Sequence, residues 1–158
     1  MKANKKKALR IFAKVVFIIY IGFVFYFLIF SDWYGRTGEM TNYHYNIVLF
    51  KEIKRFWEYR GTVGTVSMFA NLVGNVIIFL PFGFFMPMAS KYRSFWTTLF
   101  YSFGLSLIVE TFQLVTKVGC FDVDDLLLNT IGGIVGYVIF VICNAVRRNH
   151  GTRNKRKR

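Results

Sequence analysis

Residues 63–88, VGTVSMFANLVGNVIIFLPFGFFMPM, run without a single charged side chain. A helix that crosses a membrane needs about 20 mostly apolar residues, because the hydrocarbon layer is about 30 Å thick. Three other stretches meet the same requirement, at residues 11–30, 95–116 and 126–146. Since these four runs take up most of the chain, the sequence predicts a single all-α integral membrane domain over residues 1–158, built as a four-helix transmembrane bundle.

The basic residues predict how this bundle is oriented. The net charge is +13, and most of the 21 Lys and Arg residues lie in the tails 1–10 and 147–158 or, as Lys91 and Arg93, between the second and third spans. Short segments rich in Lys and Arg face the cytoplasm, so both termini are predicted to be cytoplasmic. Because these charges sit beside the spans, they favour contact with anionic membrane lipids, and no nucleic-acid binding is predicted.

The segment between the first two spans predicts a helix at the membrane surface. Trp33 and Tyr34 end the first span as an interfacial aromatic belt. Further along, apolar and charged residues occupy opposite faces at helical spacing, which is typical of an amphipathic helix in the headgroup layer. Such a helix either anchors the surface or covers a polar site. The apolar residues are Leu49, Phe50, Ile53, Phe56 and Trp57, and the charged ones are Lys51, Glu52, Lys54, Arg55 and Glu58.

Strongly polar residues inside the last three spans are predicted to lie at one level. Connectivity alone places them all toward one face of the membrane, because the second and fourth spans begin on the side where the third ends. With both termini cytoplasmic, that face is the outer one. A carboxylate in hydrocarbon is costly, so these side chains are expected to face one another. Glu110 is expected to be protonated or to accept hydrogen bonds from Asn71, Asn75, Gln113 or Asn129. The complete set is Asn71, Asn75, Glu110, Gln113, Asp122, Asp124, Asp125 and Asn129.

Each of these residues also has a purely structural interpretation. The amides can hold helices together by interhelical hydrogen bonds alone. An aspartate just before a helix can cap its free N–H groups and suit its dipole, and one of the three is expected to be only a cap. Asp125 is the functional choice, since it lies four residues before Asn129 on the same helical face. The predicted ligand-binding residues are Asn71, Asn75, Glu110, Gln113, Asp122, Asp125 and Asn129.

The cysteines and histidines predict neither a disulfide nor a metal site. Cys120 and Cys143 fall on opposite sides of the membrane in this topology, as do His44 and His150. None of them has Cys or His neighbours at metal-ligand spacing. The sequence therefore predicts no metal site and no cofactor.

Glycines in the second and fourth spans predict close helix packing. Gly132 and Gly136 form a small-xxx-small seam, which lets two backbones approach. Gly74 lies between the two asparagines and is expected to do the same.

Four short motifs follow one another in a recognisable order. Residues 71–83 read NLVGNVIIFLPFG, Glu110 and Gln113 form an E-x-x-Q pair, and residues 121–136 read FDVDDLLLNTIGGIVG. Upstream, residues 46–53 read NIVLFKEI. Together these motifs resemble those of the VanZ-like membrane proteins. Leu49 stands where many members have proline.

The resemblance implies a multipass protein of the bacterial cell membrane, in a family whose founding member is associated with teicoplanin resistance. A first hypothesis is a binding protein that recognises a membrane lipid headgroup, a lipid-linked cell-wall precursor or a lipoglycopeptide. A second is a membrane enzyme in which Glu110 and Asp125 act as general base and acid on a lipid-linked substrate, with or without Mg²⁺ or Ca²⁺. A third is a small transporter. The sequence leaves the oligomeric state open.

Overall fold

The computed structural model describes residues 2–30, 42–59 and 65–156, with the backbone alone at several helix ends. These residues form five α-helices and two strands of two residues each. In chain order they are α1 (Lys2–Phe30), β1 (Tyr45–Asn46), α2 (Lys51–Tyr59), α3 (Thr65–Ala89), α4 (Phe95–Thr116), β2 (Phe121–Asp122) and α5 (Val123–Arg156).

Three helices of the described residues are long and apolar enough to cross a membrane. They are the stretches Phe69–Ala89 of α3, Phe95–Thr116 of α4 and Val123–Arg148 of α5. The apolar part of α1, Ile11–Phe27, is shorter. The all-α class is therefore confirmed, with three helices capable of spanning a membrane, while the fourth span stays a prediction.

The helix boundaries match the predicted span at α4, lie within two residues of it at α3 and extend beyond it at α1 and α5. Helix α5 begins at Val123, three residues before the predicted position, and continues through the basic tail to Arg156. Helix α1 likewise begins at Lys2, inside the other basic tail. The predicted aromatic belt at Trp33 and Tyr34 lies outside the described residues.

Helix α3 packs most extensively against α5, along the predicted glycine seam. A Cβ atom on Gly132 would fall within 3.0 Å of the Val76 backbone, and one on Gly136 would do so at Leu80. The second contact lies four residues after the first in both helices, so α3 and α5 run parallel. The expectation for Gly74 was wrong, since a Cβ there would meet no described atom within 4 Å.

Helix α1 packs against α3 through a small apolar core. Val24, Phe79 and Val109 form its buried centre and bring α1, α3 and α4 together. The Tyr20 hydroxyl donates a hydrogen bond to the Ile78 carbonyl of α3. These contacts place α1 on the side of α3 away from the shared seam with α5.

The segment 42–59 is fastened to the start of α5 by a short parallel strand pair. Tyr45 lies opposite Phe121, and Asn46 lies opposite Asp122. The Phe121 N–H also donates to the His44 carbonyl at 3.1 Å. As a result, α2 is held beside the end of the bundle at which α5 begins.

Candidate functional site

A polar stripe on α4 forms the first wall of the site. Thr98, Ser102, Ser106 and Glu110 are spaced four residues apart and are all buried. Positions four apart lie on one helical face. This face meets α5, because the Asn129 amide donates to the Ser106 hydroxyl at 3.0 Å. Buried polar groups need partners, which their own helix can supply, as for the Thr98 hydroxyl that donates to the Ser94 carbonyl at 3.2 Å, or which come from neighbouring helices, water or a ligand.

The helix registers bring polar residues of three helices to one level. On α4, the step from Ser106 to Glu110 matches the step on α5 from Asn129 back to Asp125, since the two helices run antiparallel. The approach of Gly132 to Val76 sets how α3 and α5 are aligned along their length. About one turn earlier in both helices, Asn129 of α5 therefore lies at the level between Asn71 and Asn75 of α3. We call this set, Asn71, Asn75, Ser106, Glu110, Asp125 and Asn129, the polar layer.

Glu110 is buried between the helices instead of facing lipid, with 2% of its surface exposed. Its Oε2 atom accepts a hydrogen bond from the Asp122 N–H at 3.1 Å. This donor differs from the four amide side chains named from the sequence, because the chain folds back sharply after α4. The carboxylate therefore helps to fix the backbone where α5 begins.

Asp122 is the N-cap of α5. Its Oδ1 atom accepts the Asp124 N–H at 2.8 Å and the Asn46 side-chain amide at 3.1 Å. A side-chain oxygen bonded to the second N–H of a helix is the usual capping arrangement. The Asn46 Oδ1 atom in turn accepts the Val48 N–H at 3.2 Å. Asp122 thus joins the cap of α5 to the strand pair.

Asp124 caps a different helix from the one that carries it. This fully buried carboxylate accepts the Phe50 N–H through Oδ1 and the Glu52 N–H through Oδ2, the latter at 2.7 Å. Phe50 is the N-cap of α2, since its carbonyl accepts the Lys54 N–H. It has a left-handed backbone with φ of 64°, which is uncommon for a bulky residue. Asp124 therefore holds α2 in place from the first turn of α5.

The loop before α5 has an acidic environment. Burial raises the pKa of the Cys120 thiol, and the carboxylates of Asp122, Glu110, Asp125 and Glu52 raise it further. Burial likewise raises the pKa of Asp122, against the opposing effects of its hydrogen bonds and of Lys51. Glu110 and Asp125 both raise the pKa of the same thiol, which agrees with their lying at the same level along α4 and α5.

Several buried polar atoms in this region have no hydrogen-bond partner among the described residues. They include Asn71 Oδ1 on α3, Ser102 Oγ on α4 and Asn129 Oδ1 on α5. Buried polar groups are nearly always paired, so each such atom needs an explanation. An external ligand or bound water would supply the missing partners.

The structure brings together most of the residues predicted from the sequence. Asn75, Glu110, Gln113, Asp122 and Asn129 are buried, while Asn71 and Asp125 are half-buried. Their ligand-binding role stays a prediction. Two of the three aspartates are caps, Asp122 of α5 and Asp124 of α2, which is the structural role that the sequence analysis also considered for them.

Two residues of this region, Asn46 and Ser106, were not named as candidates. Asn46 was visible as part of the upstream motif, and Ser106 belongs to a four-residue spacing on α4 that continues to Glu110. Asp124 belonged to the predicted polar set, but its capping of α2 had no local indication, because its partners lie more than seventy residues earlier in the chain.

The described part of the chain contains neither a disulfide nor a group of residues suited to a metal ion. Cys120 and Cys143 are both free thiols there. No three His, Cys, Asp or Glu residues among those described are grouped so that they could hold a metal ion.

These features define a class of protein: an all-α chain with three helices apolar enough to cross a membrane and a buried polar layer near the start of α5. The chain belongs to the VanZ/LLP1 family, whose model matches residues 17–144. It is 33% identical over 76 residues to Protein VanZ of Enterococcus faecium, a match that covers 48% of this chain and 47% of that protein. The chain thus aligns with about half the length of this curated relative. No solved structure matches the chain.

Proposed function

We propose that this chain is a multipass protein of the bacterial cell membrane that binds a lipid-attached headgroup in its polar layer and contributes to glycopeptide resistance. The ligand is a membrane lipid headgroup, a lipid-linked cell-wall intermediate or a lipoglycopeptide such as teicoplanin. The observation that carries the proposal is the pair of buried acceptors, Asn71 Oδ1 and Asn129 Oδ1, that lack partners among the described residues. The link to resistance rests on the family and on the VanZ relative.

Four spans with both termini in the cytoplasm are part of this proposal. Helix α1 is 29 residues long and packs along α3, so it suits a fourth span beside the three apolar helices. The basic residues of the loop between α3 and α4 and those of both tails then share the cytoplasmic side. The polar layer, which lies near the other ends of these helices, faces the exterior.

Helix α2 supports the same orientation as an interfacial helix of the outer face. Leu49, Phe50 and Trp57 are exposed, and so are the cations Lys54 and Arg55. Exposed apolar and basic side chains side by side suit the boundary between headgroups and acyl chains. In this position α2 borders the entrance to the polar layer from the outer leaflet.

The proposed orientation in the membrane can be tested by labelling two exposed positions that are now lysines. Lys54 on α2 and Lys91 between α3 and α4 are both exposed, yet the proposal places them on opposite sides of the membrane. In a chain whose Cys120 and Cys143 are replaced by serine, K54C is expected to react with an impermeant maleimide on intact cells. K91C is expected to react only after permeabilisation. Labelling of K91C alone on intact cells would invert the topology.

Catalysis on a lipid-linked substrate is the alternative, and one observation favours it. The registers of α4 and α5 place Glu110 level with Asp125, and the negative charge of both carboxylates raises the pKa of the Cys120 thiol. Two carboxyl groups at one level can serve as general base and general acid. The binding proposal needs only their hydrogen bonds.

Glu110→Gln separates the two functions. Glutamine keeps an oxygen that can accept the Asp122 N–H but carries no charge and cannot act as a base. If the protein is a binding protein, teicoplanin tolerance of cells expressing the variant is expected to stay within about twofold of the parent. General acid–base catalysis through Glu110 predicts a loss of about 10²–10⁴ in rate, hence loss of tolerance. The exposed Glu58→Gln serves as the control, with expression matched by quantitative blotting.

A further inference from the structure

The residues between β1 and α2 form an apolar segment, which we call the 47–50 tip. The polar residue just before it, Asn46, is 6% exposed, so the usual burial pattern is reversed here. All four side chains of the tip are at least half exposed: Ile47 70%, Val48 61%, Leu49 50% and Phe50 53%. Runs of exposed apolar residues are avoided on surfaces that face water and occur where a protein meets a membrane or a partner.

The strand pair shows in which direction the chain enters the tip. β1 is parallel to β2, and β2 leads directly into α5. Residues 45 and 46 therefore run in the same direction as the residues that enter the apolar stretch Val123–Arg148. The tip follows β1 immediately, so it lies on the side of the strand pair that faces the membrane.

Two contacts fix the level of the tip and of α2 along the bundle. Asp124, in the first turn of α5, accepts the Phe50 N–H, so the end of the tip is level with that turn. On α3, the apolar span begins at Phe69, whose ring centroid lies 5.8 Å from that of Phe56 of α2. Both contacts fall where apolar spans begin. The tip is therefore at the boundary between the headgroups and the hydrocarbon.

The backbone of the tip has hydrogen-bond partners within the protein. The Val48 N–H donates to the Asn46 side chain at 3.2 Å, and the Phe50 N–H donates to the buried Asp124 carboxylate. Directly after the tip, the Lys51 N–H donates to the Val48 carbonyl at 3.4 Å. Hydrocarbon cannot supply hydrogen bonds, so a segment beside it needs such internal partners. With these donors satisfied, the tip can present its side chains to acyl chains.

From these observations we infer that the 47–50 tip is a membrane wedge, whose four side chains insert among the upper parts of the acyl chains in the leaflet beside the start of α5. Its partner is the acyl-chain layer itself. The exposed cations that follow, Lys51, Lys54 and Arg55, then lie at the level of the lipid headgroups. The wedge occupies whichever leaflet adjoins the start of α5, so it depends on neither the orientation nor the ligand proposed above.

The test measures the depth of a fluorescent label in the bilayer. Full-length protein with Cys120 and Cys143 replaced by serine carries NBD on V48C and is placed in phosphatidylcholine nanodiscs, one chain in each. Quenching by doxyl groups on the acyl chains is compared with quenching by a nitroxide on the headgroup. The label is expected about 5–10 Å below the headgroup nitroxide, the usual depth of an interfacial apolar surface.

Two further label positions make this measurement decisive. K54C is the matched control, because Lys54 is exposed on α2 only a few residues after the tip, and its label is expected at the level of the headgroup nitroxide. L49C provides a second label in the tip and is expected at the same depth as V48C, so the wedge can be tested even if one variant fails to fold. Val48 and Leu49 are both exposed, so neither change removes a buried side chain.

Three results would overturn the wedge. Labels in the tip that lie no deeper than the label at residue 54 would leave the tip among the headgroups. Quenching of the tip labels by aqueous iodide but by neither lipid nitroxide would place the tip in water. Protection of these labels from iodide and from both nitroxides, in nanodiscs with a single chain, would place the tip against the protein itself.

Discussion

Alanine at Gly136 is expected to destabilise the protein by about 1–3 kcal/mol, the usual cost of overfilling a packed interior. A Cβ atom there would fall within 3.0 Å of the Leu80 carbonyl oxygen, which belongs to the backbone of α3 and cannot move aside as a side chain can. The two parallel helices would have to separate along their seam. Because the polar layer has members on both helices, separation would also change the distance between its residues on α3 and those on α5.

Gly74→Ala is the matched control for this prediction. Gly74 is also a glycine within a helix, but a Cβ at this position meets no described atom within 4 Å. Alanine favours a helix over glycine by up to about 1 kcal/mol, so Gly74→Ala is expected to be neutral or stabilising. Thermal unfolding in detergent, followed by fluorescence, compares the two variants. Equal unfolding temperatures for Gly136→Ala and the parent would show that the α3–α5 seam is looser than described.

Asp124→Ala is expected to release α2 from the bundle. The change leaves the Phe50 and Glu52 N–H groups without their acceptor, and a hydrogen bond to a charged group contributes about 1.5–3 kcal/mol. It also removes the contact that holds Phe50 in its left-handed conformation. The backbone amides of residues 50–59 are therefore expected to exchange with deuterium at least about tenfold faster in the variant.

Two control variants test whether faster exchange of α2 depends on the position of the carboxylate at residue 124. Glu58→Gln removes a charge from α2 itself. Among the described residues Glu58 forms one ion pair, an exposed contact of 3.8 Å with Lys54, and exposed pairs contribute about 0–1 kcal/mol. Exchange of residues 50–59 is expected to match the parent in this variant. Asp124→Asn retains one acceptor oxygen and is expected to fall between the two. If exchange in Asp124→Ala were confined to α5 and left α2 unchanged, Asp124 would not be the attachment point of α2.

Different parts of the site were accessible from the sequence to different degrees. Glu110, Gln113 and the amides of α3 and α5 stood out because a polar residue within an apolar run must find a partner. Ser106 has the same burial, but serine is common in apolar helices and draws no attention on its own. The division of work among Asp122, Asp124 and Asp125 was not visible, since three nearly adjacent acids before a helix look alike until their partners are known.

The sequence by itself determined the helices of this protein and their order, because helix formation in an apolar segment depends on the segment's own length, hydropathy and internal hydrogen bonds. It also determined that the polar residues share one end of the bundle, which follows from the alternating direction of the spans. Only the tertiary structure decided that Asp124 caps α2, that Glu110 accepts the Asp122 N–H and that Asn129 meets Ser106. Those contacts join residues distant in the chain, so their geometry is set by how the helices pack and cannot be read from any one segment.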